Sequence, residues 1–200
     1  MGLHDINQSN HELVRAFPRV LREDAVATLS AFPENLHPSR SFPVNVAGEV
    51  LILPNRIYHD PTLIDTDGLT TFQQQMVDTL LTRHNDGFIR QESLSKLFRS
   101  RTISPPPQNW LPPFVVKLIG EYVVEILQLI EQNLPDLDRL TFRQFAEENP
   151  QFLATTRRRV ASYWDCYYRH IPKNDYVGFR LLNYLDSLAG LEESVHPPPG

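Results

Sequence analysis

A single cysteine, Cys166, among 200 residues excludes an intramolecular disulfide framework and any cysteine-rich metal knuckle, and it fits a reducing compartment. Glycine is scarce too, at eight residues. There is no Walker sequence, no dinucleotide fingerprint and no Gly-x-Ser-x-Gly elbow, so the common nucleotide and hydrolase signatures are absent and no cofactor is expected. Basic residues are outnumbered, 19 against 24 acids, and the net charge of −5 argues against a general polyanion binder. Uninterrupted apolar runs are missing as well. The most apolar stretch, residues 110 to 130, carries Lys117, Glu121 and Glu125, so no membrane span is expected. The first residues, Met1-Gly-Leu-His-Asp-Ile, are polar and lack a basic segment followed by an apolar one, which points to a cytoplasmic protein.

Proline, by contrast, is abundant, and its seventeen copies set the element map because the ring fixes φ, removes an N–H and starts helices without continuing them. Apolar content of 41% is ample for a core, and the chain reads as one mainly α domain over residues 1–190 with a disordered tail over 191–200. Residues 10 to 30 read as helix broken near Phe17-Pro18, with Val20, Leu21, Ala25, Val26 and Leu29 on its apolar stripe. Between residues 42 and 58, Val44-Asn-Val46, a short Ala-Gly-Glu turn and Val50-Leu-Ile-Leu53 suggest one small β-hairpin closed by Pro54. A helix capped by Thr70 or Thr71 runs over 72–84 with Met76, Val77, Leu80 and Leu81 inside, and another covers 88–99. Pro105-Pro-Pro107 forces an extended connector, for which a rigid spacer and a recognition segment are both open readings. Pro112-Pro113 then opens a long apolar helix ending near Leu134-Pro135. The Thr141-x-x-Gln144 pattern of a capping box starts a short helix, and two more follow over 150–169 and 176–188.

Residues 72–134, with Asp86-Gly-Phe-Ile-Arg90 followed by Leu94 and Leu97, resemble a HEAT-type helical repeat, in which one helix ends at a turn carrying Asp and the next opens with a hydrophobic residue and Arg. The resemblance implies a scaffold that presents a surface to another protein. Three tandem copies at a fixed period are absent, so the expected architecture is an irregular helical bundle or a short HEAT-like array.

Arg90 stands at the start of the stripe formed by Leu94, Leu97 and Phe98, so it should point inward, where a guanidinium needs carboxylates or carbonyls. Asp86 is the nearest acid in sequence, and Glu121 and Glu125, four apart, share a helix face. With His84 these residues form a candidate polar cluster. Its structural reading is an ion-pair network fixing two helices, and its chemical reading is an acid/base or metal site. A third reading places Lys117, Glu121, Glu125, Gln128 and Gln132 on one solvated stripe. No metal is expected, because His59, Asp60, His84, Asp86, Glu121, Glu125 and His170 show no recognisable ligand frame. Cys166 and His170 are four apart, but no glycine-rich turn flanks the thiol, and a semi-buried inert cysteine is the better reading.

Arg157-Arg-Arg159, followed by Tyr163, Trp164, Tyr167, Tyr168 and Arg169, is the second cluster. Basic residues interleaved with rings can track nucleic acid. In register with Leu153 and Val160, most rings are expected in the core, leaving the arginines to meet acids such as Glu147 and Glu148 or an acidic partner. The functional expectation is a protein–protein interaction module of adaptor, regulator or inhibitor type. An enzyme using the polar cluster is the second reading, and nucleic-acid binding through Arg157, Arg158, Arg159 and Arg169 the third.

Overall fold

The computed structural model describes residues 12–33, 36–100 and 109–190. The expected connector over 104–107 and the tail over 191–200 lie outside them. The chain is mainly α-helical, with eight α-helices and two small two-stranded sheets among the described residues. No described helix is long and apolar enough to cross a membrane. The chain clusters into two compact units, one of Met1–Val44 and Glu49–Pro106, the other of Asn45–Gly48 and Pro107–Gly200.

The first unit begins with two 3-10 turns, Val14–Ala16 and Arg19–Leu21, before helix α1 (Arg22–Ser30). Phe17 is extended at φ −120°, and Pro18 follows it without an N–H to donate. That interruption resets the helical phase. The inward positions of α1 are therefore Ala25, Thr28 and Leu29, whereas Val20, expected on the same stripe, is 88% exposed.

Strand β1 (His37–Pro38) pairs antiparallel with β4 (Ile57–Tyr58), a pairing the sequence did not suggest. Between them β2 (Ser41–Val46) and β3 (Glu49–Pro54) form the expected hairpin. Its turn, Ala47-Gly48, has φ of 50° and 79°, the pair of positive values that matches a two-residue connection to right-handed strand twist. Alternation follows, with Val44, Val46, Leu51 and Leu53 buried and Val50 outside.

Helix α2 (Thr71–Leu81) starts at a complete capping box, in which the Gln73 N–H donates to Thr70 Oγ1 at 3.2 Å and the Thr70 N–H donates to Gln73 Oε1 at 3.0 Å. Met76, Val77, Leu80 and Leu81 are buried as the period-3.6 pattern requires. Helix α3 (Gly87–Ser100) packs on α2, burying Leu94, Leu97 and Phe98.

In the second unit the expected long helix is two. Helix α4 (Pro112–Ile119) is buried along its whole length, and α5 (Val124–Gln132) follows after a four-residue break. Gly120 leaves helical geometry at ψ 26° and Val123 is extended at ψ 103°. Glycine is a poor helix former, and the Glu121 N–H closes a tight turn onto Leu118 O instead of continuing the ladder. Helix α6 (Arg139–Glu148) is capped by Asp138, which accepts from the Leu140 N–H at 3.0 Å, while Thr141, the expected cap, only returns its hydroxyl to Asp138 O. Helix α7 (Pro150–Tyr167) and helix α8 (Val177–Gly190) complete the unit, and α8 packs against α4, α5, α6 and α7.

Asn149, legible in sequence only as a helix stop before proline, is buried and fully used. Its Oδ1 accepts from the Asn45 N–H at 2.8 Å, and its Nδ2 donates to Asn45 O at 2.7 Å and Phe145 O at 2.8 Å. One side-chain amide thereby satisfies both backbone groups of Asn45, as a strand neighbour would.

Candidate functional site

The five residues of the polar cluster divide between the units. In the first, Arg90 is 2% exposed, and its Nη1 donates at 2.9 Å to both His84 O and Asn85 O. It therefore neutralises carbonyls left open where α2 ends. Asp86 does not hold it. That carboxylate accepts from the Phe88 N–H at 2.8 Å and caps α3, because at a helix start the orphan N–H groups lie closer than any side chain of the next turn. His84 is spoken for at both nitrogens: Nδ1 accepts from the Asp86 N–H at 3.0 Å, so Nε2 carries the proton and donates it to His59 O at 3.1 Å. It is a structural imidazole whose use as a base would break a backbone bond.

The sequence missed two neighbours. Arg83 is 0% exposed, donating through Nε to Pro54 O at 3.3 Å, through Nη1 to Thr82 O at 3.3 Å and through Nη2 to Asn55 O at 2.6 Å. His59 lies 4.8 Å from the His84 ring and 5.5 Å from Phe32, and burial, aided by His84, holds its pKa below the ordinary 6.5.

In the second unit Glu121 and Lys117 are buried, whereas Glu125, Gln128 and Gln132 are exposed. The expected solvated stripe is therefore split, its first two members buried and the other three exposed. Among the described residues no group of three His, Cys, Asp or Glu side chains could hold a metal ion. Cys166 is exposed, not semi-buried, and His170 lies beyond the end of α7, so the thiol and imidazole do not share a helix.

A cleft of about 330 Å³ opens elsewhere in the first unit, between α2, α3 and the 61–66 segment. Asp78 projects into it from α2, with Glu92, Ser93 and Lys96 on α3. Burial pushes the Asp78 carboxyl up to about 6 from 3.8; nearby Lys96 opposes this and Glu92 adds to it. A folded-state pKa above the unfolded one means that the folded chain holds a proton which the unfolded chain releases. The associated stability is complete below pH 3.8 and is lost as pH rises through about 6. Asp78→Asn should accordingly raise stability near neutral pH by on the order of 1–2 kcal/mol, discounted for water reaching the carboxylate, with little gain near pH 4. Urea unfolding of both proteins at the two pH values tests this, and an equal gain at both would assign the effect to packing instead of charge.

The basic helix presents a different surface from the one expected. Along α7 only Thr156 and Val160 are buried, and Tyr167 is 62% exposed. Arg159, Tyr163 and Tyr167 follow at steps of four and lie on one line of the helix. Tyr163 and Tyr167 stack at 6.3 Å, and Tyr122, 51% exposed in the break after α4, meets them at 5.8 and 6.3 Å. The Tyr168 hydroxyl donates to Tyr122 O at 2.8 Å, fixing that turn against the helix. The arginines divide. Arg157 makes a bidentate pair with Asp186, and Arg169 pairs with Asp165. Glu147 and Glu148 are taken by Arg143 and Gln144. Arg158 bonds the neutral Thr155 hydroxyl, and Arg159 packs over Gly120; among the described residues neither has a carboxylate partner.

No family model, no curated protein and no solved structure matches this chain.

Proposed function

We propose that the protein is a protein–protein interaction module whose docking face is the Arg159–Tyr163–Tyr167 line with Tyr122 beside it, and whose partner is an acidic segment of another protein. The observation that carries this reading is a cluster of solvent-facing tyrosines held in place by one another and by a backbone bond, next to two arginines with no carboxylate partner among the described residues. Tyrosine and arginine dominate interface energetics because each covers a large area at low entropic cost and keeps a polar group for the partner. Arg158 and Arg159 select an acidic segment, with an apolar side chain laid against the rings. The net charge of −5 favours a protein over nucleic acid. The lone, exposed Cys166 accords with a reducing, cytoplasmic setting.

The test is selection of binders from a random peptide library displayed on phage, using the whole protein as bait and oligo(dT) as competitor. Selected peptides should carry Asp or Glu beside an apolar residue. Their affinity should fall about tenfold or more in Tyr167→Ala and in Arg159→Ala, the arginine effect shrinking at high salt. Competition by oligo(dT) as effective as by the free peptides would move the reading to nucleic acid. Peptides indifferent to Tyr167, or none selected, would overturn the docking face.

A further inference from the structure

The cleft beside Asp78 belongs to the other unit and has no part in that docking face. Its walls are mixed, with Ile64, Val77 and Leu81 apolar and Asp78, Ser93 and Lys96 polar. Ser93 is 2% exposed, yet its hydroxyl makes no hydrogen bond. Two other hydroxyls of these helices do bond. Thr79 returns its hydroxyl to Gln75 O at 2.8 Å, and Ser100 returns its own to Leu97 O at 3.1 Å, which is how a helical hydroxyl ordinarily avoids desolvation without a partner. The Asp78 carboxylate also makes no hydrogen bond or ion pair, because Lys96, the cation within reach, is held by Glu92 one turn away on α3 at 3.0 Å. Two polar groups thus face a cleft of mixed lining with their bonding capacity unused.

We propose that this cleft binds a small organic monoamine, its ammonium group seated on the Asp78 carboxylate and the Ser93 hydroxyl and its apolar body against Ile64, Val77 and Leu81. The charge of the lining decides the sign of the ligand. Asp78, Glu92 and Lys96 sum to one negative charge, and with Lys96 committed to Glu92 the free charge is that of Asp78. An anion would meet that carboxylate without a spare cation. A divalent metal would find one carboxylate and one hydroxyl, fewer donors than such ions require. An ammonium needs one carboxylate and accepting oxygens, and a half-buried carboxylate pairs with it more strongly than one on an open surface. Allowing roughly 30 Å³ for each water-sized group, the cleft holds about ten, the size of a short alkylamine or a benzylamine. From α3, Glu92 and Lys96 are the charged groups facing Asp78, while the 61–66 segment lends its hydroxyls Thr62 and Thr66 and no charge to the lining.

The experiment titrates n-butylamine, n-hexylamine and benzylamine, with n-hexanol and hexanoate as controls, into the whole protein and into Asp78→Asn and Ser93→Ala, followed by amide ¹H–¹⁵N shifts. Saturable shifts at Val77, Asp78 and Ser93 with at least one amine are expected. Binding should be about tenfold or more weaker in Asp78→Asn, several-fold weaker in Ser93→Ala, and about tenfold weaker at pH 5 than at pH 7, where the carboxylate is charged. Hexanol binding as well as hexylamine would reduce the cleft to an apolar crevice and overturn the proposal. So would affinity unchanged in Asp78→Asn, or the absence of a saturable shift with all three amines. Asp78→Asn is expected to fold more stably than the parent, so its failure to bind could not be blamed on unfolding.

Discussion

Arg83→Met is expected to remove about 3 kcal/mol or more of stability, the largest single loss anticipated in the first unit. The side chain is fully buried, and its guanidinium donates to Pro54 O, Thr82 O and Asn55 O, so truncation leaves several carbonyls desolvated, each costing roughly 1–3 kcal/mol when water cannot replace the donor. The backbone of the same residue is also engaged. Its carbonyl accepts from the Ile57 N–H at 2.8 Å, and the Asn85 N–H donates to Ile57 O at 3.0 Å, joining the end of α2 to β4 by a short parallel bridge. One residue thus fastens the exit of β3 and the start of β4 to the helical pair. Arg83→Lys should recover only part of the loss, since a single ammonium cannot span carbonyls that a planar fork reaches together. Urea unfolding at neutral pH measures both variants. A loss below about 1 kcal/mol for Arg83→Met would mean that water replaces the guanidinium, and the fastening argument would fail.

Gly178→Ala should destabilise the second unit even though alanine is the better helix former. A Cβ at this position would lie 2.6 Å from Tyr176 Cε1 and 2.9 Å from Val160 Cγ1, both closer than carbon atoms approach without displacement. Neither neighbour is free to retreat. Val160 is one of the two buried residues of α7, and the fully buried Tyr176 ring stacks on Tyr168 at 5.1 Å and meets Phe179 edge-on at 5.9 Å. Overpacking of this kind costs about 1–3 kcal/mol, and contacts this short put it toward the upper end; against roughly 1 kcal/mol gained from helix propensity, a net loss of about 1–2 kcal/mol is expected. Tyr176→Leu should absorb much of it. In a double-mutant cycle, the cost of Gly178→Ala measured in the Tyr176→Leu background should fall by about 1 kcal/mol or more. Equal costs in both backgrounds would show that the clash lies elsewhere.

Local pattern was enough for part of the molecule. Met76, Val77, Leu80 and Leu81 recur at helical spacing and are buried, Thr70 and Gln73 form their capping box, and Val44 to Leu53 alternate as a hairpin does, because each signal is carried by residues a few positions apart. Arg90 was legible as buried from its place on an apolar stripe. Its acceptors His84 O and Asn85 O were not, because they are backbone carbonyls, and carbonyls look alike in every sequence. The same holds for Arg83, two of whose acceptors, Pro54 O and Asn55 O, stand nearly thirty residues away, and for Asn149, which serves Asn45 across more than a hundred. The break at Gly120 was hidden by the apolar residues on either side of it, which fit a continuous helix as well as two.

By itself, then, the sequence determined the helix-rich class, the hairpin, the capped start of α2 and the buried faces of α2 and α3, since periodicity and capping act within one or two turns. It also excluded a cysteine framework and the glycine-rich nucleotide signatures. Tertiary structure alone decided which charges are compensated and which polar groups are left with bonding capacity. Arg157 finds Asp186 while Arg159 finds Gly120, Asp78 and Ser93 face a cleft, and the tyrosines of α7 stay outside the core. These outcomes depend on which distant elements arrive beside a residue, and contacts between distant elements leave no periodic mark in the chain.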